Sequence, residues 1–257
     1  MKVVTIAQTK GGAGKTSIAM LLTSAALQRD LKVHVIDADH NSQILKWKDR
    51  VLAHDPTAAE RWPAGLEVSL GKETEDEIVE SFNVLAEGDT DLVIVDTRGG
   101  SAFTTESYAL MSDIVLITAR PMEGEIVEAA DTATWMEELR ASLADPDDMP
   151  PVHSVVLGPP SDVYAALRSG TFDRLPASRR AILDRIADLS PLPTVVPHSR
   201  IIEEFRRWGP LSMRIAELER STEPVARLQL RNFMPITETA RELLDDVFAA
   251  LKERDDG

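Results

Sequence analysis

The densest chemistry in the sequence lies in one short stretch, Lys10-Gly11-Gly12-Ala13-Gly14-Lys15-Thr16, with Ser17 behind it. Glycines at these positions let the chain curl until successive backbone N–H groups converge on phosphate oxygens. Lys15 is then placed to contact β- and γ-phosphate oxygens, and the Thr16 hydroxyl to ligate Mg²⁺. A helix opening near Lys15 adds its unpaired N–H groups and the positive end of its dipole. Three carboxylates stand at the ends of later apolar runs: Asp37 and Asp39 after the second run, and Asp96 closing DLVIVD. Asp96 can meet a metal's water shell or serve as a turn or helix-cap aspartate. Carboxylates beside a triphosphate repel it unless a metal or a water intervenes. Asp37 is therefore read as metal-shell support and Asp39 as the group that orients or activates attacking water, with a capping role for one of them as the competing reading.

Positioning these groups requires strands that end at one level. Apolar runs at 3–7, 32–37, 65–70, 91–96, 114–119, 153–157 and 194–197 read as strands. Helical spacing is expected over 16–29, 42–52, 73–86, 123–143, 177–189, 201–208 and 237–252, the last with Leu243, Leu244, Val247, Phe248 and Leu251 on one face. Strands alternating with helices imply right-handed crossovers and a mostly parallel sheet covered on both faces. The fold class is thus α/β, a three-layer P-loop nucleotidase arrangement, and the whole of 1–257 is expected to form one domain.

Composition narrows the function classes. No run approaches the roughly 18 apolar residues of a membrane span, and the chain opens straight into a strand, so no signal peptide is expected. With no cysteine, disulfides and thiolate-held metals or clusters are excluded. A cytoplasmic location is the default. The net charge of −15 opposes indiscriminate polyanion binding, yet residues 161–232 hold 12 Arg and no Lys against 9 acidic residues.

The lysine that opens the loop, Lys10, joined to Gly-Lys15-Thr16, resembles the deviant Walker A signature of the ParA/MinD family. Asp37-Ala-Asp39 with Leu45 and Trp47, and then Asp96-Thr-Arg98-Gly-Gly100, are similar to the ParA branch that includes the T-DNA transfer virulence ATPase. The resemblance covers nearly the whole chain and is weakest after Pro151. Commoner plasmid ParA proteins carry proline where His40 stands, and two prolines where Arg98 and Gly99 stand. The two glycines at 99 and 100 permit more backbone freedom there, and the role of Arg98 is open between sensing the γ-phosphate and pairing with an acidic neighbour.

The resemblance implies a slow ATPase that uses Mg²⁺ and ATP and works as a dimerisation switch. Lys10 would reach the partner protomer's phosphates, and Pro197 matches a position beside the base. The family's adenine-contacting asparagine has no counterpart in Leu157-Gly-Pro-Pro160. The ATP homodimer would hold nonspecific DNA through Arg200, Arg206 and Arg207, associate with the nucleoid, and partition or position a cargo. Pairing of Glu203 with Arg206 or Arg207 is the competing use of those arginines. A partner protein of the centromere-binding or adaptor type would stimulate hydrolysis. Two other readings stand beside this one. A MinD-like membrane ATPase is opposed by the acidic closing helix, and a metabolic P-loop synthetase lacks an identifiable substrate pocket.

Overall fold

A computed structural model describes residues 1–100 and 103–255, with the backbone alone at 204–206 and 254–255. Seven strands form one sheet: β1 (Lys2–Gln8), β2 (Val33–Ala38), β3 (Leu66–Leu70), β4 (Leu92–Gly99), β5 (Ile114–Ala119), β6 (Val152–Leu157) and β7 (Pro191–Val196). Their order is β3-β2-β4-β1-β5-β6-β7, and every pairing is parallel. The helices are α1 (Lys15–Leu27), α2 (Trp47–His54), α3 (Glu75–Glu87), α4 (Phe103–Leu110), α5 (Glu123–Ser142), α6 (Ser161–Ser169), α7 (Ala177–Ala187), α8 (Arg200–Trp208), α9 (Leu211–Arg220) and α10 (Pro224–Asp255).

The two-residue period of the strands divides the core into layers. Val4, Ile6, Val33, Val35, Leu92 and Ile94 face a cluster built with α1, α2, α9 and α10. Val3, Ile36, Val93 and Val95 point the other way, onto Ile78 and Phe82 of α3 and Tyr108 of α4. The central strands, buried on both faces, read as continuous apolar runs, whereas the edge strands β3 and β7 are partly exposed. At the far edge, β7 carries Pro191 and Pro193, and the Thr194 amide donates to Asp246 of α10 at 2.7 Å.

Three departures from the sequence reading have local causes. The helix expected from Ser42 begins at Trp47, because the Asp37 carboxylate takes the amides of Ile44 (2.7 Å) and Leu45 (2.8 Å) and folds 42–46 into turns. Helices α4, α6 and α9 were not foreseen. The closing helix starts at Pro224 and not at Thr237, running through Pro235. Proline is tolerated in a first turn, where its missing N–H has no helical partner. Inside the helix Pro235 removes one bond, and burial of Phe233, Ile236, Ala240 and Leu243 on either side offsets that cost.

Candidate nucleotide site

The loop after β1 is tied down before it curls. The Gln8 side-chain amide donates to the Thr118 carbonyl (2.9 Å), and the Thr9 amide donates to the Thr132 hydroxyl of α5 (3.1 Å). Gly12 and Gly14 then adopt φ of +77° and +103°, a left-handed conformation that disfavours side chains. A Cβ on Gly14 would also meet the end of the Leu157 side chain, which would have to shift, so the left-handed backbone is the main reason for glycine here. Gly14 caps α1, whose first residues are Lys15 and Thr16.

Strand register brings the carboxylates to the same level. Asp37 of β2 pairs with Asp96 of β4, and Asp96 with Ile6 of β1. The Thr16 hydroxyl donates to Asp96 Oδ2 at 2.7 Å, while Asp96 Oδ1 is buried with no hydrogen-bond partner. Burial pushes the Asp96 carboxyl up to about 7; the Thr16 hydrogen bond and Lys15 pull against this, and Asp37 and Asp39 add to it. Lys15 is itself buried, which lowers its pKa against the opposing pull of Asp96 and Asp39, and its amine donates to the Lys10 carbonyl at 3.4 Å. An orphaned carboxylate oxygen beside a threonine hydroxyl fits a hydrated Mg²⁺ held by Thr16 with Asp96 behind its water. Asp37 has both oxygens turned to backbone: Oδ2 to Ile44 and Leu45, Oδ1 to the Asp39 amide at 3.3 Å. That is turn capping, the alternative weighed for this pair. Asp39 instead lines the cleft beside the loop and accepts from the Asn41 amide at 2.8 Å.

The cleft, about 420 Å³, is walled by Gly12 to Ser17, by Asp39, Asn41 and Gln43, by Arg120, and by Ile202 and Glu203 of α8. Asn41, Gln43, Arg120 and Ile202 belong to no motif, and only their place after strand ends or at a helix start points to the cleft. Lys10 does not point into this space: its amine sits 3.2 Å from Glu125 Oε1 in the first turn of α5. Opposite, Gly99 is held against the loop; a Cβ there would lie 2.8 Å from the Gly11 amide nitrogen. Close approach, more than conformational freedom, explains glycine at 99, whereas Gly100 has φ +108°.

The model of the VirC1 protein family matches residues 1–253. The chain belongs to the VirC1 family. It is 28% identical over 242 residues to protein virC1 of Rhizobium rhizogenes, covering 90% of this chain and 91% of that one. Protein ParA of Rhizobium radiobacter is 27% identical over 180 residues, covering 69% and 72%. Among solved structures, the MinC:MinD cell division complex of Aquifex aeolicus matches with a TM-score of 0.63 at 17% identity over 95% of this chain and 96% of that one. The pNOB8 ParA bound to nonspecific DNA matches with 0.57 at 14% over 98% and 99%. These structures share the ParA/MinD fold.

In this VirC1-family chain the remaining sequence-predicted residues lie apart from the cleft. Pro197 follows β7 and is not among the described residues lining it. Arg200 is exposed at the first turn of α8. Arg207 is exposed, donates to His54 at 3.2 Å and stacks on Trp208 at 4.9 Å. Glu203 lies 3.8 Å from His198, and a Glu203–Arg207 ion pair is absent among the described residues. The side chain of Arg206 lies outside the described residues. Among those described, no helix is long and apolar enough to cross a membrane.

Proposed function

We propose that this VirC1-family protein is a slow Mg-ATPase that acts as an ATP-dependent dimerisation switch, binds DNA nonspecifically and moves or positions a cargo. The observation that carries the reading is the Thr16–Asp96 hydrogen bond at 2.7 Å, which joins the loop helix to a neighbouring strand end beside a buried lysine. Backbone amides of 11–16 hold the phosphates, Lys15 neutralises the outer ones, and Thr16 with Asp96 holds the metal shell. Mg²⁺, when bound, supplies charge neutralisation on the β- and γ-oxygens. Asp39 orients the attacking water. Lys10 leaves Glu125 and reaches the partner's phosphates, so catalysis requires two protomers.

Support for DNA binding comes from α8. The helix presents Ile202 and Glu203 to the cleft while Arg200 and Arg207 are exposed on it, so nucleotide and DNA contacts would share one helix. Arginine pairs well with phosphate oxygens, and such binding weakens steeply with salt. A partner protein that stimulates hydrolysis completes the cycle. A bilayer-anchored role is disfavoured because Leu243, Leu244, Val247 and Leu251 of α10 are buried in the core. Cargo classes compatible with the switch are a plasmid, a chromosome region, a transfer intermediate or a protein assembly.

The test is retention on unrelated duplex DNA with a non-hydrolysable ATP analogue and with ADP, at rising salt. Retention with the analogue alone, lost as salt rises, is expected. Indifference to nucleotide, or no retention at low salt, would sink the DNA part.

A further inference from the structure

Arg120 follows β5 directly, and its guanidinium lies 3.7 Å from the point where a Cβ on Gly14 would stand, next to Leu157 at the end of β6. It lines the phosphate cleft, its Nε is buried without a hydrogen-bond partner, and it pairs with no carboxylate among the described residues. Half-buried arginines ordinarily hold a carboxylate or another acceptor, because leaving a desolvated donor unmatched is costly. The other cation at the loop's edge, Lys10, has taken Glu125.

Sheet order says which part of a nucleotide would meet this guanidinium. β4 flanks β1 on one side, and β5 and β6 follow on the other. The Thr16–Asp96 pair lies on the β4 side, so the metal and the transferred phosphate belong there. A nucleotide seated that way would extend along the loop toward β5 and β6, where Arg120 and Leu157 stand.

We propose that Arg120 recognises the non-transferred end of the nucleotide, its guanidinium binding the α-phosphate of ATP and ADP alike while Leu157 forms the apolar wall beside it. The planar fork suits two oxygens of one phosphate. This rests on the loop being a Mg-ATP site, and its consequence is a site that grips ADP nearly as it grips ATP.

Calorimetric titration of the full chain with Mg-ADP and with a Mg-bound non-hydrolysable ATP analogue tests it. Arg120→Ala should weaken both ligands by the same factor, about ten- to a hundredfold, and Arg120→Lys should recover part of the loss. The melting temperature without nucleotide should stay near wild type; if the alanine variant does not fold, Arg120→Gln is read in its place. Unchanged affinity for both ligands overturns the role of Arg120 and leaves the loop reading intact. Loss for the ATP analogue alone moves the guanidinium to the γ-phosphate and overturns the assignment. Wild-type protein that binds neither ligand overturns the proposed function itself.

Discussion

Arg98 donates to the His40 ring at 2.9 Å, joining the loop after β2 to the end of β4. These two residues stand where commoner ParA relatives carry prolines, so two separate departures in sequence are one contact in space. For the bond to form, the accepting His40 Nε2 must be the unprotonated ring nitrogen. His40 follows Asp39 and Arg98 precedes Gly99 in sequence, so the contact ties together the two segments that carry those residues.

If the pair couples the two loops, Arg98→Ala and His40→Ala should each lower ATP turnover, and the double variant should do no more harm than the worse single one. Turnover rates in a double-mutant cycle measure this. Additive losses would mean that the residues act independently. Because His40 is exposed and Arg98 only half-buried, stability should change by less than about 1 kcal/mol.

The Lys10–Glu125 pair predicts a brake on dimer formation. Glu125→Gln should shift the monomer–dimer equilibrium with an ATP analogue toward dimer by about two- to fivefold, the range expected for a partly exposed ion pair. Lys10→Ala should bind the analogue as a monomer and fail to dimerise. Sedimentation velocity reads both. A Glu125→Gln protein that dimerises less than wild type would assign that carboxylate to the interface instead.

Asp96 makes the nucleotide-free protein pH-sensitive. Its folded-state pKa is pushed up to about 7 from 3.8, so between those values the folded chain holds more of this proton than the unfolded one. The stabilising contribution is full below the unfolded value and lost as pH rises through about 7, with a slope of at most about 1.4 kcal/mol per pH unit. Thermal melts from pH 5 to 8 should show wild type losing stability relative to Asp96→Asn. Mg-ATP affinity should rise over the same interval, since the proposed metal shell would need the ionised carboxylate. Parallel melting curves for the two proteins would refute the assignment.

Gly99→Ala should fold and yet bind nucleotide poorly. The added methyl meets the Gly11 amide nitrogen at 2.8 Å, with the three nearest atoms all backbone of Lys10 and Gly11 and no flexible atom among them to yield. Displacement of the loop by a few tenths of an ångström should cost at least about tenfold in ATP affinity by equilibrium titration. Gly124→Ala, which has open space around its Cβ, is the matched control.

Asp39→Ala should retain the ATP dimer and lose turnover, measured as phosphate release from a sized dimer fraction. Wild-type turnover would remove Asp39 from the water-orienting role.

The sheet was legible because strands buried on both faces leave long apolar runs, as in DLVIVD and IVLITA. Short amphipathic helices were not. FTTESYAL of α4 is short and breaks its apolar spacing with Thr, Glu and Ser, and Pro235 hid the first half of α10 by resembling a stop signal. In the site, loop residues announced themselves by type and spacing. Arg120 could not, since a single arginine after a strand has many uses until β5 is known to lie beside β1. Asp37 and Asp39 looked alike in sequence and parted only when Asp37 was found holding the amides of 44 and 45.

The β7 border of the sheet bears on how copies can assemble. Two of its positions, 191 and 193, have no amide hydrogen to give, and that of Thr194 is already spent on Asp246. An incoming strand would find little to pair with, so fibre-like growth by extending the sheet is discouraged on this flank. Association is thereby steered toward closed, countable complexes built on other surfaces.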